Sequence, residues 1–520
     1  ALSDAQATAE LFLCMRQKMF GLPKGLLERL LSLSDSLLYE SYLVIEEVYQ
    51  KQSLLVEHDL VEVQGLFLRK EKPVLSPRKL SKDFQTNIAL LGLEERSQQE
   101  EFAQKVQEFL QGETISFIQA QTGIGKTYGY LLPALSLENE GGILLSVPTK
   151  ILQNQVIQEE AKRLEEIFHI SIHSLKGPQN YLKLDAFHTA LEEEESNRLY
   201  TRFKMQLLVW LTETDTGDLD EIGQLYRYQQ FLPNLVHDGN LHKDSLFWLE
   251  DFWKRGQDKA RSCKLLVTNH AYLVTRLEDD PSLLEGRLLI LDEAQKILLT
   301  LENLSRKSYL LTDLVEQLDQ ALSKEGDMLQ KRLLESIRFE CSYLIDQFLS
   351  GKRRLCPTSS IDKLRQDFSE LNFQEFKDYQ RFFASEGEFW LSTSDVSSKK
   401  VEITSSRNHR LLFSQIFPES CQLLGISATL EISSRVSLPE LLGFPQATFY
   451  CLDEQFQENQ EIFLVKDFPL VTEISTWDYA QAVVEVLEEL SFLEEPILVL
   501  FTAKDLLLQV SDALNIPHLA

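Results

Sequence analysis

No stretch of this 520-residue chain approaches the roughly 18 consecutive apolar residues a membrane span requires, although 43% of it is hydrophobic. A charged-then-apolar leader is also missing from the front. The expectation is a soluble, cytoplasmic protein with no membrane partner. Cysteine is scarce: Cys14, Cys263, Cys341, Cys356, Cys421 and Cys451 are scattered without a C-x-x-C pair, so reduced thiols are expected. Positive charge is in deficit, with 52 Lys and Arg against 80 Asp and Glu for a formal charge of -28. That argues against indiscriminate coating of a polyanion, while leaving room for a locally basic channel. Arginine is absent after Arg435, and the first residue is Ala1 instead of Met, which suggests that something has been cut away in front.

What is present points to several domains, since 520 residues exceed one ordinary core. Residues 1–57 show apolar positions at three- and four-residue spacing, broken at Gly21 and Pro23, and predict helices. Residues 58–89 predict a linker; within it "RKEKPVLSPRKLSK" (69–82) is the most basic strip, read as a solvated connector. An α/β segment then spans 90–302, with buried-strand texture at 114–120, 141–147, 263–269 and 286–292, and a helical, acidic interruption over about 176–262. A second helical block covers 303–404, strand texture returns over 405–434, and residues 435–520 begin another α/β unit with strands expected at 460–467 and 496–502. The predicted fold class is α/β, a parallel sheet interrupted twice by helical insertions and followed by an incomplete second unit.

The stretch "IQAQTGIGKTYGY" (118–130) lies between a strand pattern and a helix pattern. Glycines at 123 and 125 let backbone amides approach phosphate oxygens, and the helix N-terminus points at the same anion. Thr122, Gly123, Ile124, Gly125, Lys126 and Thr127 form the expected nucleotide site, with Lys126 on the β- and γ-phosphates and Thr127 on Mg²⁺. Ala120 stands where the full motif has Gly. ATP hydrolysis also needs a carboxylate for the metal and one to orient water. "LLILDEAQ" supplies both, Asp292 for Mg²⁺ and Glu293 for the water, at the end of a buried strand.

Asp292-Glu293-Ala294-Gln295 and "GISATL" (425–430), together with "KGPQNYL" (176–182) and "VTNHAYL" (267–273) in this order, resemble the DinG/XPD branch of superfamily 2 DNA helicases, from about residue 90 onward. The resemblance implies a RecA-like ATPase domain with an arch-like insertion and part of a second RecA-like domain. It implies that Gln99 reads adenine with Arg96 nearby, that Thr149, Gln153 and Thr502 grip single-stranded DNA, and that Gln295, Ser427 and Thr429 couple hydrolysis to movement. The cofactors implied are ATP and Mg²⁺, and the partner is single-stranded DNA or DNA with single-stranded ends. Cluster-bearing members have four cysteines between the glycine-rich loop and the acidic box; here Lys183 takes the place of the first and only Cys263 lies in that interval, so no iron–sulfur cluster is expected. The family's late arginine finger has no counterpart after Arg435, so the second lobe is expected to be truncated. "ALSDAQATAELFL" resembles the last helix of DnaQ-type 3′–5′ exonucleases, in which Asp4 would be a metal ligand. Bacterial DinG proteins with such a fused exonuclease are the ones without cluster cysteines. The expectation is an ATP-dependent DNA-processing enzyme, either a motor or an ATP-gated DNA clamp that controls the nuclease.

Among weaker signals, "SLFWLEDFWKRG" (245–256) is read as core packing in preference to base stacking. Asn269-His270 is left open between function and a helix cap.

Overall fold

The computed structural model describes every residue except 1, 35–36, 39, 53–58, 72–75, 138–140, 194–195, 241–242, 325–326, 352–353, 374–375, 386, 394–399, 407–411, 434–435, 453–464, 467, 471–473, 491–496, 502 and 516–520. The chain divides into two compact units, residues 1–454 and 455–520.

Helices Leu2–Phe20, Lys24–Ser32 and Tyr42–Lys51 come first, as the spacing predicts. Where a linker is expected, the chain instead forms a hairpin of β1 (Leu60–Val63) and β2 (Leu66–Arg69). Its two-residue turn holds Gln64 at φ +50° and Gly65 at φ +72°, the left-handed pair that matches the twist of the flanking strands. Leu66, Phe67 and Leu68 are buried in one core with Leu26, Leu27 and Leu30 of the second helix and Phe203 and Leu207 of the first insertion.

The main sheet begins with β3 (Ile115–Gln119), β4 (Ile143–Val147), β5 (Ile172–Ser174), β6 (Leu265–Asn269) and β7 (Leu288–Asp292). Between β5 and β6 lies the first insertion. Its helices Leu184–Glu192, Arg198–Trp210 and Phe252–Ser262 are joined by long turns and 3₁₀ segments, so it is less regular than expected. Phe247, Phe252 and Trp253 are buried there, which settles that aromatic run as core. Lys176, wholly buried, is held by Asp218 at 2.5 Å and Asp220 at 2.9 Å.

The second insertion, between β7 and the next strand of the sheet, contains strands that the sequence reading overlooks: β8 (Arg306–Leu310), β9 (Glu388–Thr393) and β10 (Val401–Ser406), in antiparallel order β8-β10-β9. "RKSYL" is too charged and β9 too polar on its outer face to announce themselves. Four helices, Leu311–Lys324, Met328–Leu349, Thr358–Glu370 and Lys377–Ala384, close a separate core around Leu314, Ile337, Phe368 and Phe383.

The chain then returns through β11 (Gln422–Ser427), a small hairpin of β12 (Glu431–Ser433) and β13 (Val436–Ser437), and β14 (Thr448–Cys451). The seven-stranded order is β14-β3-β11-β7-β4-β6-β5, and every pairing is parallel. The fold is thus the expected α/β, a RecA-like parallel sheet carrying two insertions. Ile143, Leu145 and Val147 of β4 pack on one face with Val267, Ile290 and Ile426, while Leu144 packs on the other with Leu266, Leu289 and Leu423. Both faces are covered, which is why these strands read as continuous apolar runs. β14, assigned from the sequence to the second domain, is an edge strand of this sheet. In the second unit, helices Thr476–Glu489 and Lys504–Ala513 meet through Ala480, Val484 and Val510. The strand expected at 460–467 falls mostly outside the described residues; of the strand expected at 496–502, residues 497–501 are described and form no strand.

Candidate nucleotide site

Because β11 sits between β3 and β7, the C-terminal ends of all three come together, with Gln119 paired to Ser427 and Ile426 to Asp292. The loop after β3 carries Gly123 at φ +87° and Gly125 at φ +84°, conformations that a side chain disfavours. Ile124, 6% exposed, pins the loop between them. The helix Lys126–Ser136 starts directly after Gly125, leaving its first amides aimed outward. Ala120 is buried and donates its N–H to the Ser427 carbonyl at 2.9 Å, so the residue that departs from the motif packs against β11. Gln99 Nε2 donates to the Gly125 carbonyl at 2.8 Å and Arg96 Nη1 to the Gly123 carbonyl at 3.2 Å. Gln99, expected to read adenine, and Arg96, expected nearby, therefore both reach the glycine-bearing loop.

Across the loop, Lys126 Nζ lies 2.8 Å from Glu293 Oε1. Burial raises the Glu293 carboxyl, but hydrogen bonds from Lys126 and Gln295 outweigh it and hold the group below the usual carboxylate range. Glu293 occupies φ +48°, a region rarely populated by non-glycine residues, and such outliers concentrate at functional sites. Burial pushes Asp292 up to about 6, against the pull of Lys126. An enclosed carboxylate of this kind gains from a nearby cation. Two residues absent from the expected set act on it: Tyr130, fully buried, and Glu160, in a π-helical turn Ile157–Ala161, both interact with the Asp292 charge.

Gln295 links the acidic pair to β11. Its Nε2 donates to Glu293 Oε2 at 2.8 Å, its Oε1 accepts a short hydrogen bond from the Ser427 hydroxyl, and Ser427 Oγ in turn accepts from the Thr429 N–H at 3.0 Å. An amide with one donor end and one acceptor end suffices for this relay. The three coupling residues are brought together.

Other expectations fare differently. Gln153 is wholly buried: its Nε2 donates to Ser174 Oγ and to the carbonyls of Leu175 and Val267, and its Oε1 accepts from Asn269. It ties a helix to β5 and β6 and has no surface for a DNA strand, which corrects its assignment. Thr149 is exposed and caps the helix Lys150–Val156 by accepting from the Leu152 N–H at 3.2 Å. Thr502 lies outside the described residues; Asp4 lies in the first helix, its side chain outside the description. Lys183 pairs with Asp238 at 2.9 Å.

His270, which the sequence leaves open between function and a helix cap, joins the site. It is wholly buried, its Nδ1 is 2.7 Å from Ser146 Oγ, and its Nε2 faces the backbone of Asp292 and Glu293 without a hydrogen bond of ordinary geometry. Burial pushes it down to about 4, so the imidazole is neutral at pH 7. Replacing His270 with Ala opens a void behind the Glu293 backbone, which sits at a φ that non-glycine residues rarely adopt. The expected result is a kcat for ATP about 100-fold lower with little change in KM, read by steady-state phosphate release beside a melting curve.

The residues fit a magnesium triphosphate: a glycine cradle, a lysine, a hydroxyl at Thr127 and an enclosed carboxylate at Asp292. No set of three or more His, Cys, Asp or Glu side chains is placed to hold a metal among the described residues. Magnesium is ordinarily held by one or two carboxylates together with substrate phosphates.

Residues 97–210 match the DEAD/DEAH box helicase family. The chain is similar to the protein named 3'-5' exonuclease DinG of Staphylococcus saprophyticus, 30% identical over 313 residues, covering 56% of this chain and 33% of the relative. The protein of the same name from Staphylococcus aureus (strain USA300) is 29% identical over 288 residues, 52% of this chain and 31% of the relative. The match thus spans about a third of these relatives' length. Among solved structures, one titled XPD_Helicase aligns with TM-score 0.44 and 15% identity over 82% of this chain and 75% of that one.

Proposed function

We propose that this chain is the motor region of a DinG-like superfamily 2 helicase, which hydrolyses ATP to translocate on single-stranded DNA and works with a 3′–5′ exonuclease. The observation that carries the reading is the 2.8 Å pair between Lys126 and Glu293, which brings the phosphate loop and the acidic strand end to one place. Bound magnesium would neutralise phosphate charge and polarise the terminal phosphoryl group. Thr127 and Asp292 would hold it. Lys126 exchanges Glu293 for phosphate oxygens, which releases the Glu293 carboxylate to orient a water. Gln295 senses that exchange through its bond to Glu293 and passes it to Ser427 and Thr429.

Thr149 is the DNA contact this reading keeps: its hydroxyl accepts from the backbone and retains a proton to donate to a phosphate. Lys183, bound to Asp238 where related helicases carry a cysteine, supports a first insertion that folds without an iron–sulfur cluster. Residues 1–57 are assigned to a connector from an exonuclease domain, and the unit 455–520 to part of a second RecA-like domain. The name of the staphylococcal relatives supports the nuclease link. That name specifies an exonuclease and no helicase, and so favours a second reading, in which ATP gates a DNA clamp. A duplex with a single-stranded tail separates them. A motor hydrolyses ATP faster with the tail present and displaces the annealed strand; a clamp retains the DNA in the presence of ATP and displaces nothing.

A further inference from the structure

Beside the Asp292 carboxylate, two buried polar atoms are left without a hydrogen-bond partner. Tyr130 lies on the helix that begins at Lys126, three residues after Thr127, so the two side chains share one face of it. Tyr130 is wholly buried, and its hydroxyl interacts with both Thr127 and Asp292, yet it makes no hydrogen bond of ordinary geometry. The second atom is Glu160 Oε2, buried and equally unpartnered. In the π-helical turn Ile157–Ala161, Ala161 is seated in the core and Glu160 stands next to it, half-buried, where its charge acts on Asp292 and on the Tyr130 phenol. Such turns occur frequently at functional sites.

Packing alone accounts for neither atom. A buried hydroxyl and a buried carboxylate oxygen each cost free energy when unpaired, so native proteins keep few of them unless water or an ion completes the set. The charges point the same way. Glu160 and Asp292 repel each other; of the cations that oppose them, Arg163 is exposed and Lys126 is already bound to Glu293. By donor and acceptor inventory the group holds one phenol proton and two carboxylates that can only accept. What would complete it is a water with protons to give, next to a cation. Magnesium keeps several of its waters when it binds to protein carboxylates and phosphates.

We propose that Tyr130 and Glu160 are positioning residues for the magnesium ion at Asp292: the Tyr130 hydroxyl fixes the Asp292 carboxylate, and Glu160 Oε2 accepts from one water of the metal's shell. The inference rests on the nucleotide-site reading above and adds to it two residues that act through Asp292 and through water. Outer partners of this kind typically account for about 10–100-fold of metal affinity. It holds whether the chain is a motor or a clamp.

The test titrates magnesium against the binding of a fluorescent, non-hydrolysable ATP analogue and reads the metal concentration at half effect, in the parent protein, in Tyr130→Phe and in Glu160→Gln. Each substitution should raise that concentration at least about tenfold, while the affinity measured in EDTA stays that of the parent. Melting in EDTA separates positioning from folding. Tyr130→Phe deletes a hydroxyl that has no partner, so its melting temperature should equal or exceed that of the parent; a fall marks the hydroxyl as structural and overturns the inference. An unchanged magnesium midpoint in either variant, beside a normal response in the parent, also overturns it and leaves the nucleotide site standing. So does a loss of affinity that is equal with and without magnesium. A parent protein whose binding magnesium does not tighten overturns both this inference and the reading beneath it.

Discussion

Lys126→Ala is expected to abolish ATP turnover, with kcat falling by at least about 10²–10³-fold, the cost of losing one preorganised donor to developing phosphate charge. The loss has two parts. The ammonium is removed from the place where the β- and γ-phosphates would lie, and Glu293 loses the partner that holds it 2.8 Å away. With that hydrogen bond gone, burial acts against the Glu293 charge with Gln295 and Lys296 left to oppose it. The variant should still fold, since Lys126 lies at the start of its helix and outside the packed core. Phosphate release at saturating ATP measures the effect, and turnover equal to the parent protein would discard the hydrolase reading.

Glu293→Gln should separate binding from chemistry. The amide retains the shape and a hydrogen-bonding link to Gln295, but it cannot serve as a base, and turnover should fall about 10²–10⁴-fold. Nucleotide affinity should be preserved or increased, because the neutral side chain no longer competes for Lys126. Fluorescent-nucleotide titration beside single-turnover hydrolysis reads both quantities. Equal losses in affinity and rate would place Glu293 among the binding groups and leave the water without an orienting carboxylate.

The parts of the candidate nucleotide site are legible in the sequence because each of them is local. A glycine-rich turn between strand and helix, an Asp-Glu pair closing an apolar strand and Ser-Ala-Thr after another each carry their chemistry in a few adjacent letters. The apolar strands themselves were readable since both faces of the sheet are covered. What escaped depends on distant partners. Gln153 looks like a polar residue on a helix until Ser174, Leu175, Val267 and Asn269 are seen to occupy its whole amide. His270 gains meaning only from Ser146, 124 residues earlier. β8 finds its partner β10 only across roughly ninety residues, and β9, though close to β10 in sequence, alternates buried residues with exposed polar ones, so no single apolar run marks them. β14 reads as the start of a new domain because its neighbour β3 lies more than three hundred residues upstream.

The central claim is that the phosphate loop and the carboxylate of Asp292 clasp one magnesium-bound triphosphate. Its most direct test is the affinity for a non-hydrolysable ATP analogue, measured with magnesium and with EDTA, in the parent protein and in Asp292→Asn. Magnesium should tighten binding in the parent protein, and this gain should vanish in the variant while the metal-free affinity stays the same. An undiminished magnesium effect in Asp292→Asn would contradict the account.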